Sequence, residues 1–167
     1  MSTVSVTGFV EASAEDVWRL LTELSARTDR LATAHRVEVL TPGPFGAGTA
    51  WRETRVRPDG GRLDEEYLVV AAEPPDRLVL ASPGIGVDYR ITWSLRTVHR
   101  RGRTRTAVTV TQEAVPTAPY GRVLALLFGG LAARTVERAL RQDLADLAAA
   151  LGPTGPDPTG PGSTAAA

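Results

Sequence analysis

The chain has 167 residues, with 19 basic and 19 acidic side chains and a formal net charge of zero. That length fits one domain with a real core and leaves little room for a second. The charge balance removes the positive footprint of a nucleic-acid binder, and the absence of cysteine excludes disulfides, thiolate nucleophiles and Cys-based metal sites.

Arginine carries all of the lysine-plus-arginine charge, which, with abundant Ala, Gly and Pro, reads as coding bias rather than function. Met1-Ser2-Thr3-Val4 lacks the basic segment and apolar block of a signal peptide. The charge-free run Val123–Ala133 is much shorter than the roughly 20 residues that span a bilayer. The expectation is a cytoplasmic protein with no stable membrane insertion.

Ser2–Glu11 alternates, with Val4, Val6, Gly8 and Val10 on one face and Ser5, Thr7 and Phe9 on the other, the period of a strand. Ser13 then suits a helix N-cap, with Glu15 and Asp16 in the positive first turn. That helix carries Val17, Trp18, Leu20, Leu21 and Leu24, with Trp18 assigned to the core. A second, short helix is predicted around Arg27–Ala32, then a strand over Arg36–Leu40. Thr41–Gly48 is a turn-rich loop. Strands follow over Thr49–Arg57 and Leu63–Glu73, joined by the tight turn Pro58-Asp59-Gly60-Gly61. Arg77–Ser82 is a short strand. In the next one, Val87, Tyr89, Ile91, Trp93 and Leu95 alternate with Asp88, Arg90, Thr92, Ser94 and Arg96, one greasy face and one wet. Arg100–Arg103 makes a hairpin, and Thr104–Val115 is the last strand.

Pro119–Leu151 reads as one long helix. Val136, Leu140, Leu144, Leu147 and Leu151 form a single stripe, and Glu137, Arg138, Arg141, Asp143 and Asp146 fall mostly on the wet side. Its first half is apolar all round, with Leu124, Leu126, Leu127, Phe128 and Leu131, and so must be covered on more than one side. Gly129-Gly130 predicts a local kink with room beneath it. Gly152 ends the helix. Residues 153–167, too poor in apolar side chains to fold, read as a disordered tail beyond a domain spanning 1–152. The class is therefore α+β: two short helices after the first strand, then a curved antiparallel sheet of about seven strands in all, its dry face wrapped around the long C-terminal helix.

Several segments resemble the START-like superfamily and its helix-grip fold, the group of the birch-pollen-allergen relatives and the polyketide cyclase/dehydrase family. Val10-Glu11-Ala12-Ser13-Ala14-Glu15-Asp16-Val17-Trp18 resembles the family's opening segment. Phe45-Gly46-Ala47-Gly48-Thr49-Ala50-Trp51-Arg52 resembles its G-x-G-T-x-W lead-in to the third strand, and Glu73-Pro74-Pro75-Asp76-Arg77-Leu78 its PP-x-R-L turn. Tyr89–Leu95 and Thr104–Thr106 resemble the late hairpin. The resemblance implies a deep pocket between sheet and helix that takes a hydrophobic small molecule such as a sterol, lipid or aromatic polyketide.

Ligand contacts are expected from Trp51, Arg55, Tyr89, Ile91 and Trp93 on the sheet and from Leu127, Phe128 and Leu131 on the helix. Catalytic candidates are Glu53, Tyr67 and Tyr89, since an inward carboxylate beside a phenol can serve as acid or base. The blander reading, which the cost of buried charge favours, pairs Glu53, Glu65 and Glu66 with Arg52, Arg55 and Arg57 on the wet face. An inward Arg55 beside Glu53 would anchor a carboxylate or enolate. His35 and His99 have no ligand spacing, so neither a metal nor another cofactor is expected. Three functions fit: a small-molecule binding protein, which is the leading one; a polyketide cyclase or aromatase-type enzyme; and a partner module of the co-chaperone activator kind.

Overall fold

The computed structural model describes residues 2–31, 34–56, 60–84, 86–100, 102–117 and 119–152, with 100 and 119–132 by backbone alone. The predicted tail lies outside these residues. The chain runs β1 (Ser2–Val10), α1 (Ala14–Thr22), a single 3-10 turn (Leu24–Ala26), α2 (Arg27–Arg30), β2 (Ala34–Val39), β3 (Ala50–Val56), β4 (Arg62–Glu73), β5 (Arg77–Ser82), β6 (Val87–Arg100), β7 (Arg103–Pro116) and α3 (Pro119–Ala150). One antiparallel sheet holds seven strands in the order β1-β7-β6-β5-β4-β3-β2. From β2 to β7 each strand pairs with its successor, and β1 closes against β7. The two short helices therefore carry the chain from one sheet edge to the other. This is the α+β architecture that the alternation and the terminal helix predict, and the helix-grip fold that the resemblance implies.

Local chemistry explains the element boundaries. Asp16 N–H donates to Ser13 Oγ at 3.1 Å, and the Ser13 hydroxyl donates back to Asp16 Oδ2 at 2.8 Å, which fixes the start of α1. In the loop before β3, Thr49 N–H donates to the Gly46 carbonyl and Gly46 N–H donates to Thr49 Oγ1, both at 3.0 Å. Gly48 sits between them at φ +90°, a conformation that a β-carbon would strain. The G-x-G-T pattern is thus a turn that delivers Trp51 to the interior.

Helix α3 shows how tightly the sheet curls. Leu140, Leu144 and Leu147 are buried, as their three- and four-residue spacing requires. Leu144 packs on β1 at Gly8, where a β-carbon would stand 3.4 Å from Leu144 Cδ1. The next residue back, Asp143, reaches Arg55 on β3. In the sheet order β1 and β3 are five positions apart, about 24 Å if the sheet were flat. One turn of helix touches both, so the sheet wraps around it. The core beneath joins Val6, Val10, Val17, Leu20, Leu78, Leu80, Trp93, Leu95, Val108, Val110, Leu140 and Leu147. Trp18, assigned to the core, is only half-buried against its rim. Among the described residues no helix is long and apolar enough to cross a membrane.

Candidate functional site

The concave face has two zones, and burial grades from one into the other. On β6, Leu95 and Trp93 are buried, while Ile91 and Tyr89 on the same face are half-buried. Leu78 lies opposite Trp93 and Leu80 opposite Ile91. The aliphatic and aromatic zone is therefore closed at the Leu95 end and opens toward Val87. The second zone lies on β3 and β4, where Trp51 faces Tyr67, Glu53 faces Glu65 and Arg55 faces Leu63. These pairs share the inner side, because directly opposed residues in an antiparallel ladder point the same way.

Two carboxylates directly opposite each other repel. Two arginines entering from different directions resolve the conflict. Arg27 of α2 donates through Nε to Glu53 Oε2 at 3.0 Å, and its Nη2 lies at the same distance from that oxygen. Its Nη1 donates to the Leu21 carbonyl near the end of α1 at 3.3 Å, and its guanidinium stands 5.9 Å from the centre of the Trp51 ring. Trp51 Nε1–H adds a donation to Glu53 Oε2 at 3.4 Å. Arg55 lies 3.9 Å from Glu53 Oε1 and 4.0 Å from Glu65 Oε2. It grips Asp143 of α3 with both terminal nitrogens, Nη1 donating to Oδ2 at 3.3 Å and Nη2 to Oδ1. The Tyr67 hydroxyl donates to Glu65 Oε2 at 2.6 Å, and its ring stacks on Trp51 with centroids 5.2 Å apart.

The surroundings set the protonation states. Burial raises the Asp143 carboxyl above its ordinary range, and the Arg55 charge offsets only part of that. For Arg55 burial acts to lower the value, but the Asp143 charge and hydrogen bond outweigh it and the guanidinium stays firmly protonated. Burial, with the Glu65 charge, pushes the Tyr67 phenol well above its ordinary value, so it stays neutral.

Glu53, predicted to pair on the wet face, is instead buried at 1% exposure. The wet-face reading holds for Glu66, which accepts from Arg52 Nη2 at 2.6 Å on the convex side. Arg55 is inward beside Glu53, but its partner is a carboxylate of the protein. Asp143, which the helical stripe places among the mostly wet side chains of α3, faces inward onto Arg55. The interior provides the reason, since a guanidinium only 21% exposed demands a counter-charge. Trp51 is fully buried between Phe45, Tyr67 and Arg27. Tyr89 does not join Glu53 and Tyr67: it lies on β6, flanked by Ser82 and Ala114, separated from β4 by β5. The side chains of Leu127, Phe128 and Leu131, and the surroundings of Gly129-Gly130, lie outside the described residues. Arg27 was not foreseen as part of the site, and neither was Asp143. Their only sequence signal was a charge on a short helix and one on a long amphipathic one.

The same fold recurs in solved structures. A START superfamily protein from Mycobacterium smegmatis superposes with a TM-score of 0.65 at 14% identity, over 89% of this chain and 96% of the other. The di-domain ARO/CYC BexL from the BE-7585A biosynthetic pathway gives 0.61 at 18% identity over 90% of this chain, which spans 50% of that protein's length. A protein from Thermus thermophilus gives 0.56 at 25% identity, over 89% and 98% of the two chains. No curated protein matches the chain in sequence. The family profile described as polyketide cyclase / dehydrase and lipid transport matches residues 1–152, almost everything from the first strand to the end of α3, and the chain belongs to that family.

Proposed function

We propose that the chain binds a hydrophobic small molecule, of the lipid, sterol or aromatic polyketide kind, between the concave face and α3. One observation carries this reading: inward apolar side chains on β6 pass from buried Leu95 and Trp93 to half-buried Ile91 and Tyr89. The described side chains leave that stretch of the inner face partly uncovered. A polar cluster stands beside it on β3 and β4, which is the composition of a ligand site: mostly apolar lining with a few placed polar groups. Membership of a family that includes lipid transport agrees with it. Adding sterols, fatty acids or aromatic polyketides to the protein should shift its tryptophan emission through Trp93. A flat response across all three classes would overturn the reading.

The cyclase-type reading stands second, on the Glu65–Tyr67 pair. A carboxylate 2.6 Å from a neutral phenol and 4.0 Å from a guanidinium is a set able to pass a proton to and from an enolising carbonyl. Glu53 serves that chemistry poorly, since Oε2 is taken by Arg27 and Trp51. Under this reading, Glu65→Gln should abolish turnover of a polyketide substrate and leave binding intact; unchanged turnover would defeat it.

A further inference from the structure

The polar cluster is unbalanced. Among the described residues, Arg27 and Arg55 face Glu53, Glu65 and Asp143, two cations against three carboxylates. The phenol of Tyr67 has spent its proton on Glu65, so toward the rest of the site it offers only lone pairs. Arg55 already holds Asp143 with both terminal nitrogens. These groups are not sealed off: Arg55 keeps 21% of its side chain exposed, Asp143 17% and Glu65 31%. A ligand whose polar end is an anion would have to displace Asp143 from Arg55 and would leave a half-buried carboxylate beside two others.

We propose that Asp143 is a specificity-determining residue, one that occupies Arg55 as a built-in anion. It makes the site refuse hydrophobic anions and accept neutral hydrophobes whose polar end donates hydrogen bonds, such as a hydroxyl. The inference rests on the ligand-binding reading above and narrows its substrate class. The acceptor-rich edge formed by Glu65, Tyr67 and Asp143 is complementary to a hydroxyl and repels a carboxylate or sulfonate. The groups facing Asp143 are Arg55 and Glu53 from β3 and Arg27 from α2, with Glu65 and Tyr67 of β4 acting through Arg55.

Two fluorescent probes with one aromatic framework test it: neutral N-phenylnaphthylamine and its anionic counterpart, anilinonaphthalene sulfonate. The wild type should bind the neutral probe more tightly. Asp143→Asn keeps the shape and a hydrogen-bonding group but removes the charge, and should shift the ratio of the two affinities toward the sulfonate by on the order of tenfold. Asp146→Asn, one turn further along α3, should leave the ratio unchanged. In the wild type the same shift should appear as pH falls and Asp143 takes up a proton, because the sulfonate itself does not titrate; this arm holds even if Asp143→Asn fails to fold. Binding of both probes with a ratio that neither the substitution nor pH alters would overturn the role of Asp143 alone. Binding of neither would overturn the ligand-binding reading and this inference with it.

Discussion

At the residue scale, the most exacting feature is the burial of Glu53, a carboxylate at 1% exposure whose charge is met by Arg27 from another element. Removing one partner of such a pair leaves the other uncompensated. Arg27→Met should therefore cost about 3–5 kcal/mol in urea denaturation, and the double variant Arg27→Met with Glu53→Leu should regain most of it. Asp143 gives a prediction with a sign. Its folded-state pKa lies above its ordinary value of 3.8, so the folded chain holds that proton more tightly than the unfolded chain. The associated stability is present below the unfolded value and lost as pH rises through the folded one. Measured against Asp143→Asn, the wild type should lose stability on going from about pH 4 to about pH 7; a gain over that span would contradict the assignment. Little of this was legible in advance. Period-two alternation put Trp51 and Glu53 on one face but not on which side, and the cost of buried charge argued for the wet one. What reversed that argument was charge brought in from other elements: Arg27 of the four-residue helix α2 meets Glu53, and Asp143 of α3 meets Arg55, the next inward residue of β3, and no local pattern encodes either contact.

At the element scale, the sequence was far more informative. Alternation placed the strands to within a few residues, and the Leu140-Leu144-Leu147 stripe identified the buried side of α3. Those signals arise from burial of one face, the strongest force acting on each element. The contact between α3 and β1 tests the packing. Leu144→Ala should cost about 2–5 kcal/mol, as core truncations do. Gly8→Ala puts a β-carbon at ordinary contact distance from Leu144, 3.4 Å from its Cδ1, and should be nearly neutral. Gly8→Leu should force helix and strand apart and cost about 1–3 kcal/mol. At the other end of the fold, Ser13→Ala removes the cap of α1 and should cost about 1 kcal/mol. Equal tolerance of Gly8→Ala and Gly8→Leu would show that α3 does not rest on β1 as described.

At the scale of the whole molecule, the two contacts of a single helical turn define the architecture. Leu144 rests on one edge strand, and Asp143 reaches an arginine five sheet positions away. The helix thus joins an apolar seam on β1 to a charged seam on β3, with the inner face of β4 to β7 between them. On that inner face Tyr89 and Ile91 are only half-buried. We propose that this stretch of the inner face admits a hydrophobic guest. The most direct measurement is a titration of the protein with N-phenylnaphthylamine, following energy transfer from tryptophan in the wild type and in Trp93→Phe. Saturable transfer at one probe per chain, much reduced in Trp93→Phe, is the expected result. The absence of any saturable signal, or transfer that is indifferent to Trp93, would contradict the account.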